Sequence, residues 1–244
     1  MRELADGLHA SLSTIRRDLE QLVDDGYLEK THGGVLLRRS EPTTFDTESS
    51  LNAHLSWRQK RVIGATAALR VSPGDSVLCD SSTTVLEVMQ QVVARAINVT
   101  VVTNSLEIAS ICAPCPSMRL VIPGGTLRPG TMSLFGPPGS QFLGTLHVDL
   151  CFLGIHSITG DLMTETSVEG AEMKRLMLRS SRRTILVADS TKFRLPSFCT
   201  VGNISELEEL ITDDAIPADC RHTCQQADVA LTVVGPIERN EPAS

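Results

Sequence analysis

The chain has 244 residues and a mass of 26.4 kDa, enough for one large hydrophobic core or two modest ones. Hydrophobic residues make up 41% and charged residues 21%, a globular balance that excludes a disordered, collagenous or coiled-coil chain. Net charge is −7 and the isoelectric point about 5.4, so no global positive field draws the chain to nucleic acid or membrane.

No apolar run approaches the roughly 20 residues that cross a bilayer. The opening Met1-Arg2-Glu3-Leu4-Ala5-Asp6 is acidic and helical in character, unlike a secretory signal. Seven cysteines, an odd number, suit a reducing compartment. A cytoplasmic protein without a membrane partner is expected.

In chain order, Glu3–Leu8 reads as a short helix, His9-Ala10 as a turn, and Ser11 as the N-cap of a second helix. That helix places Ile15, Leu19, Leu22 and Val23 on one face at i, i+4, i+7 and i+8, and Gly26 ends it. Ser13, Thr14, Arg16 and Arg17 crowd its first turns, mostly off the apolar face. Guanidinium groups fork onto guanine edges or phosphates, and hydroxyls bond phosphates or bases. The composition suits the leading end of a DNA-recognition helix. Tyr27–Thr31, His32-Gly33-Gly34 and Val35–Leu37 follow as strand, tight turn and strand, so that the whole reads as a winged helix-turn-helix with His32 and Gly33 at the wing tip. The plainer alternative is an amphipathic helix and an ordinary hairpin with surface arginines. The first 40 residues carry six basic and seven acidic side chains, so charge alone does not mark them as DNA-binding.

Texture changes near residue 40, where the Ser/Thr-rich stretch Ser40–Ser50 reads as a linker. Beyond it, short apolar strands alternate with amphipathic segments. Strands are expected at Val77–Cys79, Val99–Val102, Leu120–Ile122, Leu150–Leu153, Ile185–Ala188, Leu210–Thr212 and Val229–Val234, with helices at Val85–Ala94, Ser105–Ile111 and Val168–Ser180. This is the pattern of βαβ units: an α/β fold, a mainly parallel sheet with helices on both faces. The expected organisation is a winged helix-turn-helix over 1–38, a linker over 39–57, an α/β sensing domain over 58–236 and a tail over 237–244.

The segment richest in chemistry is Asp80-Ser81-Ser82-Thr83-Thr84, between a strand and a helix. Exposed backbone N–H groups and the helix dipole favour an anion there, four hydroxyls add donors, and Asp80 could accept from sugar hydroxyls. A well-capped helix start is the equally natural structural reading. Other loops at strand ends could converge on the same crevice: Thr103-Asn104-Ser105, Gly124-Gly125, Gly154, and Asp189-Ser190-Thr191-Lys192. Lys192 is a plausible phosphate partner and Lys174 a second cation, though each alone is also an ordinary surface lysine. The candidate effector residues are therefore Asp80, Ser81, Ser82, Thr83, Thr84, Asn104, Gly124, Gly125, Gly154, Lys174 and Lys192.

The string Glu3-Leu4-Ala5, Ser11, Thr14-Ile15-Arg16-Arg17-Asp18-Leu19, Leu22, Gly26, Leu28 and His32-Gly33-Gly34 resembles the N-terminal signature of DeoR-family transcriptional regulators. The resemblance continues through Lys60-Arg61-Val62-Ile63-Gly64, Gly74-Asp75, Asp80–Thr84, Val102–Ser105, Gly124-Gly125, Asp149, Phe152, Gly154, Lys174-Arg175, Met177 and Asp189–Phe193. It implies a fold related to ribose-phosphate isomerases and CoA transferases that senses phosphorylated sugars. It also implies operator DNA contacted by Ser13, Thr14, Arg16, Arg17, His32 and Gly33, and a homo-oligomer. Departures are visible. The family's domain starts with a helix before Glu3-Leu4-Ala5, so the module is expected to be incomplete at its N-terminus. His9 stands where the family turns on glycine, Ser82 replaces a glycine of the phosphate loop, and Ile155-His156 follows Gly154 where small or acidic residues are frequent.

Cys112-Ala113-Pro114-Cys115 has CxxC spacing, and Cys220 and Cys224 flank His222, but the pairs fall in separate βα units and the first follows its helix instead of opening it. No metal and no cofactor are expected. Cys79, Cys151 and Cys199 read as small apolar residues, Trp57 and Tyr27 as packing aromatics, and Arg182-Arg183 as a solvated helix-to-strand turn. The leading expectation is a DNA-binding regulator, a repressor of carbohydrate genes answering to a phosphorylated sugar, and not an enzyme. One alternative is a sugar-phosphate isomerase using Asp149, Glu169, Glu172 and Lys174 as acid–base groups. Another is a metabolite-binding protein that has lost DNA binding.

Overall fold

A computed structural model describes residues 11–24, 28–31, 34–37 and 56–235. The chain divides into two compact units, Met1–Thr44 and Phe45–Ser244. In the first, helix α1 (Leu12–Asp24) starts at Ser11, whose Oγ accepts the Thr14 N–H at 3.1 Å, as an N-cap should. Ile15 is 4% exposed, while Ser13, Thr14, Arg16 and Arg17 all face solvent. Strands β1 (Leu28–Thr31) and β2 (Gly34–Leu37) pair antiparallel, Leu28 opposite Leu37 and Thr31 opposite Gly34, which gives the expected hairpin. The expected first helix at Glu3–Leu8, His9, Gly26, Tyr27, His32, Gly33, the linker as far as residue 55 and the tail lie outside the described residues.

The second unit is built on seven parallel strands: β3 (Ser76–Cys79), β4 (Val99–Thr103), β5 (Met118–Val121), β8 (Val148–Leu153), β11 (Ser181–Val187), β13 (Glu209–Asp213) and β14 (Ala230–Val234), in the order β14-β13-β11-β8-β3-β4-β5. Successive side chains alternate between two cores. Val77, Cys79, Leu150, Phe152, Ile185 and Val187 join one, and Leu78, Cys151, Leu153 and Leu186 the other. Burial on both faces explains why these strands read as continuous apolar runs. Helices α2 (Trp57–Ala68), α3 (Thr83–Ala94) and α4 (Leu106–Cys112) supply Ile63, Val88, Met89 and Ile108 to the first core. Helices α5 (Gly139–Leu143), α6 (Val168–Arg179) and α7 (Ala218–Gln226) supply Leu143, Met173, Met177 and Cys224 to the second. The expected α/β sandwich is therefore present.

Several elements are additions to the sequence reading. The hairpin β6 (Thr126–Leu127) and β7 (Leu134–Phe135), and an antiparallel sheet ordered β12-β10-β9 from β9 (Ser157–Thr159), β10 (Leu162–Glu165) and β12 (Cys199–Asn203), stand outside the main sheet. Two side-chain expectations change. Trp57 is not packed: it is 46% exposed at the start of α2, with the guanidinium groups of Arg58 and Arg61 at 5.5 and 5.6 Å from its ring centre. Arg182 and Arg183 open β11 instead of forming a turn, and they pair with Asp149 and Glu208.

Helices α2 and α3 approach closely at Gly64, where an added Cβ would lie 2.8 Å from the carbonyl carbon of Glu87 and 2.9 Å from the nitrogen of Val88. These are backbone atoms, so they cannot swing away. Gly64→Ala should force α2 and α3 apart at a cost of about 1–3 kcal/mol, lowering Tm by several degrees in a thermal melt. An unchanged melt would show that the contact is slack.

Candidate ligand site at the sheet switch point

The chain lays β3, β4 and β5 outward in one direction, then returns to place β8 beside β3 and builds the other way. Strand order therefore reverses between β3 and β8, and their C-terminal ends diverge into a crevice, the place where open α/β sheets bind ligands. The crevice has a cavity volume of about 130 Å³. Asp80–Thr84, Asn104, Gly154, Lys174 and Lys192 line it, as does His156, together with residues that the sequence reading passed over, chiefly Arg128, Ser133, Glu165 and Ser167.

Asp80, only 2% exposed, is fully engaged by the protein itself. Its Oδ1 accepts the Ser82 N–H at 2.9 Å. Its Oδ2 accepts the Gly154 N–H at 2.9 Å and the Lys174 ammonium at 2.5 Å. Lys174 donates again to the Gly154 carbonyl at 2.9 Å and lies 3.4 Å from Glu165 Oε2. Burial works to lower the lysine's pKa, but the charges of Asp80 and Glu165 outweigh it and hold the ammonium protonated well above the usual lysine range. Both residues line the crevice, and both are engaged with their neighbours in the protein. Together they tie β3, β8, β10 and α6 into one frame.

The hydroxyl-rich corner divides its duties. Ser82 Oγ accepts the Val85 N–H at 3.2 Å and so caps α3. Ser105 and Ser167 cap α4 and α6 in the same way, through Ile108 and Gly170. Gly154 must be glycine, because a Cβ there would sit 2.2 Å from Ser82 Oγ. Thr83 and Thr84 form the first turn of α3, which carries no acidic residue to offset the helix dipole. Asn104, 1% exposed, donates from Nδ2 to the Leu134 carbonyl at 3.1 Å, which fixes the amide's orientation. Its Oδ1 is buried with no hydrogen-bond partner among the described residues. An orphaned acceptor of this kind costs about 1–3 kcal/mol until a donor meets it.

Lys192 ends a short 3₁₀ turn, Ser190–Lys192, that is capped by Asp189 accepting the Thr191 N–H at 3.1 Å. Gly124 and Gly125, by contrast, do not line the crevice. Their φ values of +90° and +127°, and the 2.7 Å that would separate a Cβ on Gly125 from the Phe135 carbonyl oxygen, make them the turn from β5 into the hairpin β6–β7. That hairpin brings Arg128, Thr131, Ser133 and Phe135 to the crevice. Arg128 Nη1 donates to Ser167 Oγ at 2.9 Å, with its guanidinium 5.8 Å from the centre of the Phe135 ring.

The acid–base set considered for an isomerase does not converge. Asp149 sits near the opposite, N-terminal end of β8, where it accepts from the Ser76 hydroxyl at 2.6 Å and the Ser76 N–H at 3.0 Å, and those bonds hold its carboxyl below the usual range. Glu169 and Glu172 are exposed on α6 and absent from the crevice lining. Cys112 and the Cys220/Cys224 pair belong to opposite cores, and burial pushes the Cys112 thiol up to about 11. Among the described residues, no group of three or more His, Cys, Asp and Glu is placed to hold a metal ion.

The Asp80–Lys174 tie makes a prediction with a sign. Its stabilisation is present below lysine's ordinary pKa of 10.5 and is lost only as pH rises through the higher folded value. Lys174→Met strands two buried carboxylates and should cost about 3–5 kcal/mol. A thermal melt of the variant checks the loss, and a Tm unchanged from wild type would show that the tie contributes nothing to stability.

The sequence matches the DeoR C-terminal sensor domain over residues 56–214 and the DeoR-like helix-turn-helix domain over residues 1–41. It is 33% identical over 242 residues to the HTH-type transcriptional regulator GlpR of Haloferax volcanii, covering 98% of this chain and 92% of that one. It is 28% identical over 234 residues to the HTH-type transcriptional repressor CsqR of Escherichia coli, covering 94% and 87%. Against the HTH-type transcriptional repressor GlcR of Bacillus subtilis the identity is 30%, over 84% and 78%. Among solved structures it is similar to ribose 5-phosphate isomerase A of Methanocaldococcus jannaschii, with a TM-score of 0.43 and 12% identity over 57% of this chain and 55% of that one. The two domain matches and the 33% identical relative show that the chain belongs to the DeoR family of transcriptional regulators.

Proposed function

We propose that the protein is a repressor of carbohydrate genes whose hold on operator DNA is released or set by a phosphorylated sugar bound in the switch-point crevice. The observation that carries the reading is the pairing, in one crevice of the sensor domain, of an α3 N-terminus without acidic residues and the orphaned acceptor of Asn104. The first suits a phosphate and the second a sugar hydroxyl. In this reading Ser81, Thr83 and Thr84 supply donors to the phosphate and Lys192 supplies charge, while Ser82, Asp80, Gly154 and Lys174 hold the corner in shape.

DNA is read from α1. Ser13, Thr14, Arg16 and Arg17 are exposed on its first turns, as contacts to base edges and phosphates require. His32 and Gly33 are assigned to the phosphate backbone. Operators with two-fold symmetry call for a symmetric homo-oligomer, and the reading places the protein in the cytoplasm with its DNA. Relatives named as repressors, CsqR and GlcR among them, support the direction of control. In this reading the ligand is sensed and not turned over, and Asp149, Glu169 and Glu172, three of the four acid–base candidates, are absent from the crevice lining. It shifts the DNA-bound population only by its difference in affinity between two states, typically about 1–3 kcal/mol.

Gel shifts on DNA flanking the protein's own gene, at stated salt and with a panel of sugar phosphates, test the whole reading. Arg16→Ala should weaken specific binding by about 1–3 kcal/mol. Lys192→Ala should leave DNA binding intact and weaken the effector response roughly tenfold. Steady turnover of ribose 5-phosphate by the purified chain would replace this reading with an enzymatic one.

A further inference from the structure

The 3₁₀ turn Ser190–Lys192 runs into a loop, residues 193–198, that presents apolar side chains to solvent. Leu195 is 83% exposed and Phe198 82%, well above Leu69 at 69%, the next large hydrophobic side chain among the described residues. A solitary exposed leucine is ordinary, but two such side chains three residues apart form a patch, and apolar patches mark association sites. The backbone on either side of Leu195 is pinned. The Arg194 N–H donates to the Ile158 carbonyl at 3.1 Å, and Phe193 forms a bridge to the same residue of β9. The Ser197 N–H donates to Thr164 Oγ1 of β10 at 2.8 Å. These bonds hold the loop in shape, so little conformational entropy remains to be lost when Leu195 and Phe198 are covered.

Leu195 borders a hollow of about 280 Å³, larger than the roughly 150 Å³ that admits benzene into a protein interior. Ile158, Phe193 and Pro217 supply further apolar lining. Two charged residues line it as well, Arg194 on the loop and Asp219 in the first turn of α7, and both are exposed. One face therefore carries apolar side chains that project, a recess wide enough for an aromatic ring, and charges of both signs. A matching partner needs a recess for each projection and an acid for each base. A second copy related by a two-fold axis supplies every one of these complements, because in an isologous contact residue i meets residue j and j meets i.

We propose that this face is the interface between two copies of the chain. The Phe198 ring of each copy enters the hollow of the other, Leu195 packs along its edge, and Arg194 pairs with the partner's Asp219. The inference rests on the homo-oligomer reading above and assigns to it a surface and four residues. The apolar centre supplies the affinity, and the two ion pairs, one on each side of the axis, fix the orientation in which the copies meet.

The test is sedimentation velocity on the full chain over a range of concentrations, in reducing buffer so that its seven cysteines stay thiols. Wild type is expected to sediment as a dimer or an even-numbered assembly. Leu195→Asp combined with Phe198→Asp should weaken association at least about tenfold, because the contact then buries carboxylates in an apolar recess. Arg194→Glu and Asp219→Lys should each weaken it by setting like charges against each other, and the two together should restore it toward wild type. Far-UV circular dichroism should match wild type throughout, and the charge exchange answers the question if the aspartate variant fails to fold. An assembly that survives both sets of substitutions within about twofold overturns this face and leaves the homo-oligomer standing. A wild type that sediments as a monomer at tens of micromolar overturns the homo-oligomer, and this interface with it.

Discussion

A buried carboxylate held by a buried ammonium organises the sensing unit. Asp80 ends the first strand of the main sheet and receives, on two oxygens, the start of α3, the end of β8 and the ammonium of α6. Each charge would be costly alone in so dry a place, and together they are tolerable only with their remaining hydrogen-bonding capacity filled, as the Gly154 carbonyl and Glu165 fill it here. The frame is consequently specific in geometry. Strand ends that share no covalent connection are brought within hydrogen-bonding distance of one another, and a cavity is left beside them instead of a collapsed core.

Much of this architecture is written in the residues themselves. Runs such as Val77-Leu78-Cys79 and Leu150–Leu153 are apolar at every position because both faces of a parallel strand are covered, and a run of that kind needs no partner to be recognised. Serine caps at 82, 105 and 167 announce helices for a local reason too. The crevice was foreseeable because the loops that form it all follow strands.

What escaped depends on distance in sequence. Hairpin β6–β7 has two residues per strand, too short for any periodicity, and its position is set by Gly124, Gly125 and Asn104. Strand β10 pairs with β12, some 40 residues later, and its polar Thr164 and Glu165 are buried against partners that adjacency does not reveal. Helix α2 buries small residues and Lys60 along a face that no apolar stripe marks. Lys174 illustrates the limit most directly. Its identity as a cation near the site was readable, but its engagement by Asp80, 94 positions away, was not.

The contact between Gly154 and Ser82 has a bearing on how this sensor could be retuned over evolutionary time. With a hydroxyl filling the space where any side chain at 154 would go, the floor of the crevice admits no new chemistry at that point. Variation that alters which metabolite is recognised is thereby directed to other lining positions, Thr131 and Ser133 of the hairpin among them. One scaffold can then acquire new chemical preferences without renegotiating the bonds at this corner.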